Sequence, residues 1–185
     1  MPACADVPYR LVGTGAALLR GVCLPAGDID ILVKEHADLD AFAGALASAH
    51  CLEPPAWLAH SRQYYGSWEI AGAEVQLSTV DVASDSDTIE TLGRGPWEHY
   101  ERLACGAYLV PTVVLELRLI TELWRQREDR YGPLIGFLRA HGRDLAFIER
   151  GMVGAGVPQE LQERVSQQLA ASPYRKVPSL HFPAS

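Results

Sequence analysis

Tyr9-Arg10-Leu11-Val12 is a short, mostly apolar run that stops at Gly13-Thr14-Gly15. It predicts a strand entering a tight turn, because glycine reaches backbone angles closed to other residues. Residues 16–19 can then open a helix, and Leu24-Pro25-Ala26-Gly27 turns the chain into a second strand, Asp28-Ile29-Asp30-Ile31-Leu32-Val33. From Asp38, a plausible N-cap, Leu39, Phe42, Ala43, Leu46 and Ala49 recur at helical spacing. Glu53-Pro54-Pro55 is expected to break regular structure. Residues 62–70 and 73–80, joined by Ala71-Gly72, predict an antiparallel hairpin, and the second strand alternates with Val75 and Leu77 on one face and Glu74 and Gln76 on the other.

Residues 91–101 mix Gly93, Gly95 and Pro96 with Trp97 and Tyr100, which suggests a loop and a short helix. Residues 107–110 read as an edge strand that Pro111 ends. Val113, Leu117, Ile120 and Trp124 then mark the clearest helix, starting at Pro111 or Thr112. Residues 134–140 and 145–148 predict two more helices separated by Gly142, and Leu161, Val165 and Leu169 give a last one an apolar edge. The plan is a mixed α/β domain over 1–110, a mostly helical region over 111–172 packed on it, and a tail over 173–185.

Composition narrows the field little. The 185 residues are 48% hydrophobic and 21% charged, as expected of a folded globular chain. The formal net charge of −7 argues against a broad basic face for a polynucleotide, though not against a local basic pocket. Cys4, Cys23, Cys51 and Cys105 form no Cys-x-x-Cys pair and are expected to be buried thiols in a reducing cytoplasm. No run of ~20 apolar residues predicts a membrane span. The six histidines show no metal-ligand spacing.

Candidate chemistry sits at Asp28 and Asp30. Side chains two apart in a strand share a face, so these carboxylates stand together and repel unless a cation neutralises them, and hard oxygen ligands suit Mg²⁺. Gly13 and Gly15 flank Thr14 and permit close approach of phosphate oxygens. Glu74 on the predicted hairpin and Asp81 at the end of its second strand are further acids that could join them. Arg20 and Arg62 are further candidates for steadying phosphate charge. Arg125, Arg127 and Arg130 crowd a helix end, where the helix dipole explains cations without any function. Trp68, Tyr64 and Tyr65 fit strand packing better than base stacking.

Val12-Gly13-Thr14, the connector from Gly15 to Gly27 and Asp28-Ile29-Asp30-Ile31 together resemble the signature of the nucleotidyltransferase superfamily, which shares its palm-like domain with DNA polymerase β. Thr14 stands where serine is usual. The resemblance implies an α/β (α+β) fold, a palm-like mixed sheet flanked by helices with a mostly helical C-terminal part. It implies catalytic and metal-binding roles for Asp28, Asp30 and Glu74 around two Mg²⁺ ions, and phosphate contacts from Gly13, Thr14 and Gly15. The expected reaction moves a nucleoside monophosphate from an NTP to a hydroxyl of a small molecule or protein, with a tRNA end also open, and releases pyrophosphate. The minimal stand-alone members include antibiotic-modifying enzymes and halves of toxin-antitoxin pairs. Arg127-Glu128-Asp129 resembles the family's Arg-x-Lys-Asp helix end without its lysine, and the alternative is a non-catalytic binding or regulatory module on the same fold.

Overall fold

The structure, a computed structural model, describes residues 7–79 and 82–171. Seven strands form one mixed sheet in the order β3-β4-β5-β2-β1-β7-β6. In chain order the elements are β1 Tyr9–Val12, α1 Gly13–Leu19, β2 Asp28–Val33, α2 His36–Ala45, β3 His50–Leu58, β4 Gln63–Ile70, β5 Ala73–Thr79, α3 Gly95–Glu98, β6 Tyr100–Cys105, β7 Tyr108–Val113, α4 Leu115–Trp124, α5 Glu128–His141, α6 Leu145–Gly154 and α7 Gln159–Ala170. This is the mixed, helix-flanked sheet the resemblance implies, and two pairs, β2 with β5 and β1 with β7, are parallel on either side of the antiparallel β1–β2 pair.

Alternation along β2 divides the molecule. Val33 packs with Leu39, Trp68, Val75 and Leu77 beneath α2. Leu32 packs the other way, with Leu11, Val12, Ala16, Val113, Leu117 and Ile120 beneath α1 and α4. Asp28 and Asp30 share the Leu32 face, so both look toward the helical side of the sheet. A larger core, from Ala17, Val22 and Leu24 through Leu119, Leu134, Ile148 and Leu169, joins α1 and its loop to α4, α5, α6 and α7.

Several local expectations change. Glu53-Pro54-Pro55 lies within β3, which tolerates the prolines as an edge strand whose register shifts on both sides of Glu53. Helix α2 is capped by Glu35, and Asp38 at its third position accepts the Glu35 backbone N–H in a capping box. β6 was not expected. Its partner β7 is interior and continues through Pro111 to Val113, so α4 begins only at Leu115. Among the described cysteines, Cys23, Cys51 and Cys105 are free and exposed rather than buried. Asp81 and Cys4, like residues 173–185, lie outside the described residues.

Candidate functional site

Antiparallel pairing of β1 with β2 sets Val12 opposite Asp30, so the turn that follows β1 closes over the second aspartate. Gly13 takes a φ of +66°, and a Cβ there would lie 1.9 Å from Asp30 Oδ2, so any other residue would strain the backbone and push the Asp30 carboxylate aside. Helix α1 starts at Gly13 itself, with Thr14 buried in its first turn. Gly13, Thr14, Asp28 and Asp30 line one cleft of about 480 Å³.

The cleft has two unlike walls. One is the sheet, which contributes Asp28, Asp30, Gln63, Tyr65, Gln76 and Ser78, with Ser61 just before β4. The other carries Arg118 from α4, Arg125 and Arg127 from the α4–α5 connection, and Arg130 from α5. Arg125 and Arg127 are solvent-exposed, while Arg130 Nη1 donates to Thr14 Oγ1 at 3.1 Å and to the Pro25 carbonyl at 2.8 Å. The arginines read as a helix-end charge cluster thus face the aspartates. Gln126, between two of them, adopts a φ of +54°, a turn that keeps both of its neighbours beside the cleft.

A residue without sequence pattern anchors the turn. Glu90, 1% exposed, accepts the Gly13 amide at 2.8 Å on Oε1 and Arg118 Nη1 at 3.1 Å on Oε2. Arg118 also pairs with Glu122 one turn along α4, and both are buried. Burial works to lower the Arg118 pKa, but Glu90 and Glu122 raise it more. The i,i+4 spacing of Arg118 and Glu122 among the leucines of a mostly apolar helix was a legible sign of a buried pair. Glu90, one of several acids in the loop before α3, offered none.

Electrostatically, Asp30 is the most perturbed carboxyl of the site. Burial, then the Asp28 and Glu90 carboxylates, push its pKa up to about 6, against the opposing pull of Arg118 and Arg125. Such a group favours a cation beside it or a proton on it. Asp28 and Asp30 therefore fit a hard divalent ion, since Mg²⁺ is commonly held by one or two carboxylates with substrate phosphate and water completing its shell. Among the described residues no three His, Cys, Asp or Glu side chains form a ready metal cluster.

Glu74 pairs in register with Asp28 on the parallel strand β5, but it is outside the cleft lining. Gln76 stands opposite Asp30 instead, and its Nε2 donates to Asp28 at 3.3 Å and to Glu74 at 3.0 Å. Other candidates are elsewhere. Gly15 packs on Leu11 and Ile29, which places it against the apolar side of β1 and β2. Arg20 pairs with Glu101 at 3.0 Å and ties α1 to β6. Arg62 holds the β3–β4 turn with a φ of +56°, and its neighbours Ser61 and Gln63, rather than Arg62, line the cleft. Trp68 is core, Tyr64 stacks on His36, and Tyr65 faces the cleft.

No family model matches this chain, and no curated protein matches it in sequence. Solved structures do resemble it. A protein provisionally assigned as a nucleotidyltransferase from Thermotoga maritima superposes with a TM-score of 0.53 at 15% identity, over 74% of this chain and 84% of the other. An antigenic nucleotidyltransferase-like protein from Paracoccidioides brasiliensis gives a TM-score of 0.47 at 13% identity, over 90% and 86% of the two chains. The fold is therefore that seen in the nucleotidyltransferase-like structures, as the Gly13-Thr14 turn and the Asp28-Ile29-Asp30 strand imply.

Proposed function

We propose that this chain is a Mg²⁺-dependent nucleotidyltransferase that moves a nucleoside monophosphate from an NTP to a hydroxyl, releasing pyrophosphate. The observation that carries the reading is the pairing of opposite charges across one cleft, Asp28 and Asp30 on the sheet wall against Arg118, Arg125, Arg127 and Arg130 on the helical wall. A metal-bound triphosphate is complementary to both walls at once. When bound, Mg²⁺ would neutralise phosphate charge, and Asp28 and Asp30 would hold it. Thr14, already oriented by Arg130, offers its hydroxyl to the β and γ phosphates, while Arg127 and Arg130 stabilise the departing pyrophosphate. Ser61, Gln63 and Tyr65 line the polar part of the sheet wall and suit an acceptor hydroxyl.

Glu74, beside Asp28, is the candidate to assist a second ion or to take the acceptor proton. The acceptor is a small molecule, a protein or a tRNA end. No helix among the described residues is long and apolar enough to cross a membrane, and a cytoplasmic setting accords with the use of NTP and Mg²⁺.

Two observations favour a second reading, a nucleotide-binding module without turnover. The residue beside Asp30 is the neutral Gln76, and the Gly13 amide is already taken by Glu90. Thermal shift with each of ATP, GTP, CTP and UTP plus Mg²⁺, followed by assay for label transfer, separates the two. A shift that disappears in Asp30→Ala, with transfer in the wild type, supports the enzyme. A shift without transfer to any small-molecule, protein or tRNA acceptor supports the module, and no shift with any NTP removes both.

A further inference from the structure

Behind the arginine wall lies a second, smaller cavity of about 240 Å³. Its apolar lining comes from Ile89 and Leu92 of the loop after β5, Ile120 of α4 and Ala155 at the end of α6. Trp124, the last residue of α4, also lines it and is 59% exposed although every other α4 residue after Glu116 is buried. Thr91 and Arg125 line both this cavity and the charged cleft, so the two spaces adjoin. Thr121, also in the lining, gives its hydroxyl proton to the Leu117 carbonyl, and the lining includes no carboxylate or amide side chain.

We propose that this cavity takes the planar base of the nucleotide whose phosphates occupy the cleft, stacked on Trp124; the proposal rests on the nucleotide-binding reading above. Size is compatible with a single ring system, the space being smaller than the roughly 300 Å³ at which pockets for drug-sized ligands begin. Connection supports it. The cavity shares Thr91 and Arg125 with the cleft, so a group tethered to phosphates in the cleft can reach it, while the Ser61, Gln63 and Tyr65 side of the cleft is left to a polar acceptor. Arg125 at the junction can meet a phosphate with its edge and a ring with its face. An apolar slot without side-chain amides or carboxylates holds a ring by stacking rather than by reading its hydrogen-bonding edge.

The test compares Mg-ATP with Mg-tripolyphosphate, which has the phosphates and no base, by calorimetry on wild type, Trp124→Ala and Trp124→Phe. Trp124 is largely exposed, so the substitutions leave the fold intact, and circular dichroism checks this. Expected is a loss of about tenfold in ATP affinity for Trp124→Ala, recovery in Trp124→Phe, and unchanged tripolyphosphate binding. Equal ATP affinity in wild type and Trp124→Ala overturns the base site and leaves the phosphate cleft standing. Parallel loss of both ligands also overturns it, because Trp124 would then be acting through Arg125. A wild type that binds neither ligand removes the nucleotide-binding reading, and the base site with it.

Discussion

At Asp30, burial and two neighbouring carboxylates make the charged form expensive. A pKa of about 6 in place of 3.8 corresponds to ~3 kcal/mol. The folded state holds this proton more tightly than the unfolded chain does, so the penalty is absent below pH 3.8, grows as pH rises, and is complete above about 6. Asp30→Asn is therefore expected to raise the metal-free melting temperature at pH 7 to 8 and to lose that advantage near pH 3.5, which melting curves across pH would show. Mg²⁺ should reverse the ranking at neutral pH by stabilising only the aspartate form. Gly13 belongs to the same constellation. Gly13→Ala adds a left-handed strain of ~1–2 kcal/mol and pushes against Asp30 Oδ2. Because that clash vanishes with the carboxylate, Gly13→Ala/Asp30→Ala should be at least ~0.5 kcal/mol more stable than the sum of the single variants in urea unfolding. The pair Asp28 and Asp30 and the Gly-Thr turn were legible as sequence because strand periodicity and glycine chemistry are local. Glu90 was not, since its partners Gly13 and Arg118 are 77 and 28 positions away.

At the scale of elements, the connection between α4 and α5 decides what the arginines do. α4 ends at Trp124, Gln126 turns in the left-handed region, and α5 starts at Glu128, so Arg125 and Arg127 flank a single sharp residue. Glycine adopts this conformation freely, and Gln126→Gly should keep both stability, within about 1 kcal/mol, and triphosphate affinity. A β-branched residue does not, and Gln126→Ile is expected to lose ~1–2 kcal/mol in denaturant and to weaken tripolyphosphate binding. Equal affinity in both variants would show that the turn does not position the arginines. The charge run 125–130 was visible in the sequence, yet its direction was not, because a helix end read from periodicity does not reveal which way the next helix departs. For the same reason β3 escaped notice: two prolines forbid a central strand but not an edge with shifted register.

Across the whole molecule, sheet and helices share their interior. Leu11, Val12 and Ala16 pack on Leu117 and Ile120, and Ala17, Val22 and Leu24 on the α4–α7 core. A chain ending at Val113 would expose these apolar groups and lose the Arg118 partner of buried Glu90. Such a truncation should show no cooperative thermal transition, whereas 1–171 should unfold in a single step, both observable by circular dichroism. The cleft itself exists only at this scale, since its two walls come from β2, β4 and β5 on one side and from α4, α5 and their connection on the other.

Sequence by itself determined the strands that carry the aspartates, the glycine turn beside them and the helical second half, all of which rest on short-range periodicity and backbone preference. Tertiary structure decided the rest. It put Gln76 rather than Glu74 opposite Asp30, turned Arg20 away toward Glu101, and brought Arg130 to Thr14. Those outcomes depend on strand order, register and helix direction, which are settled when distant apolar faces are buried together and not by the residues on either side of each position.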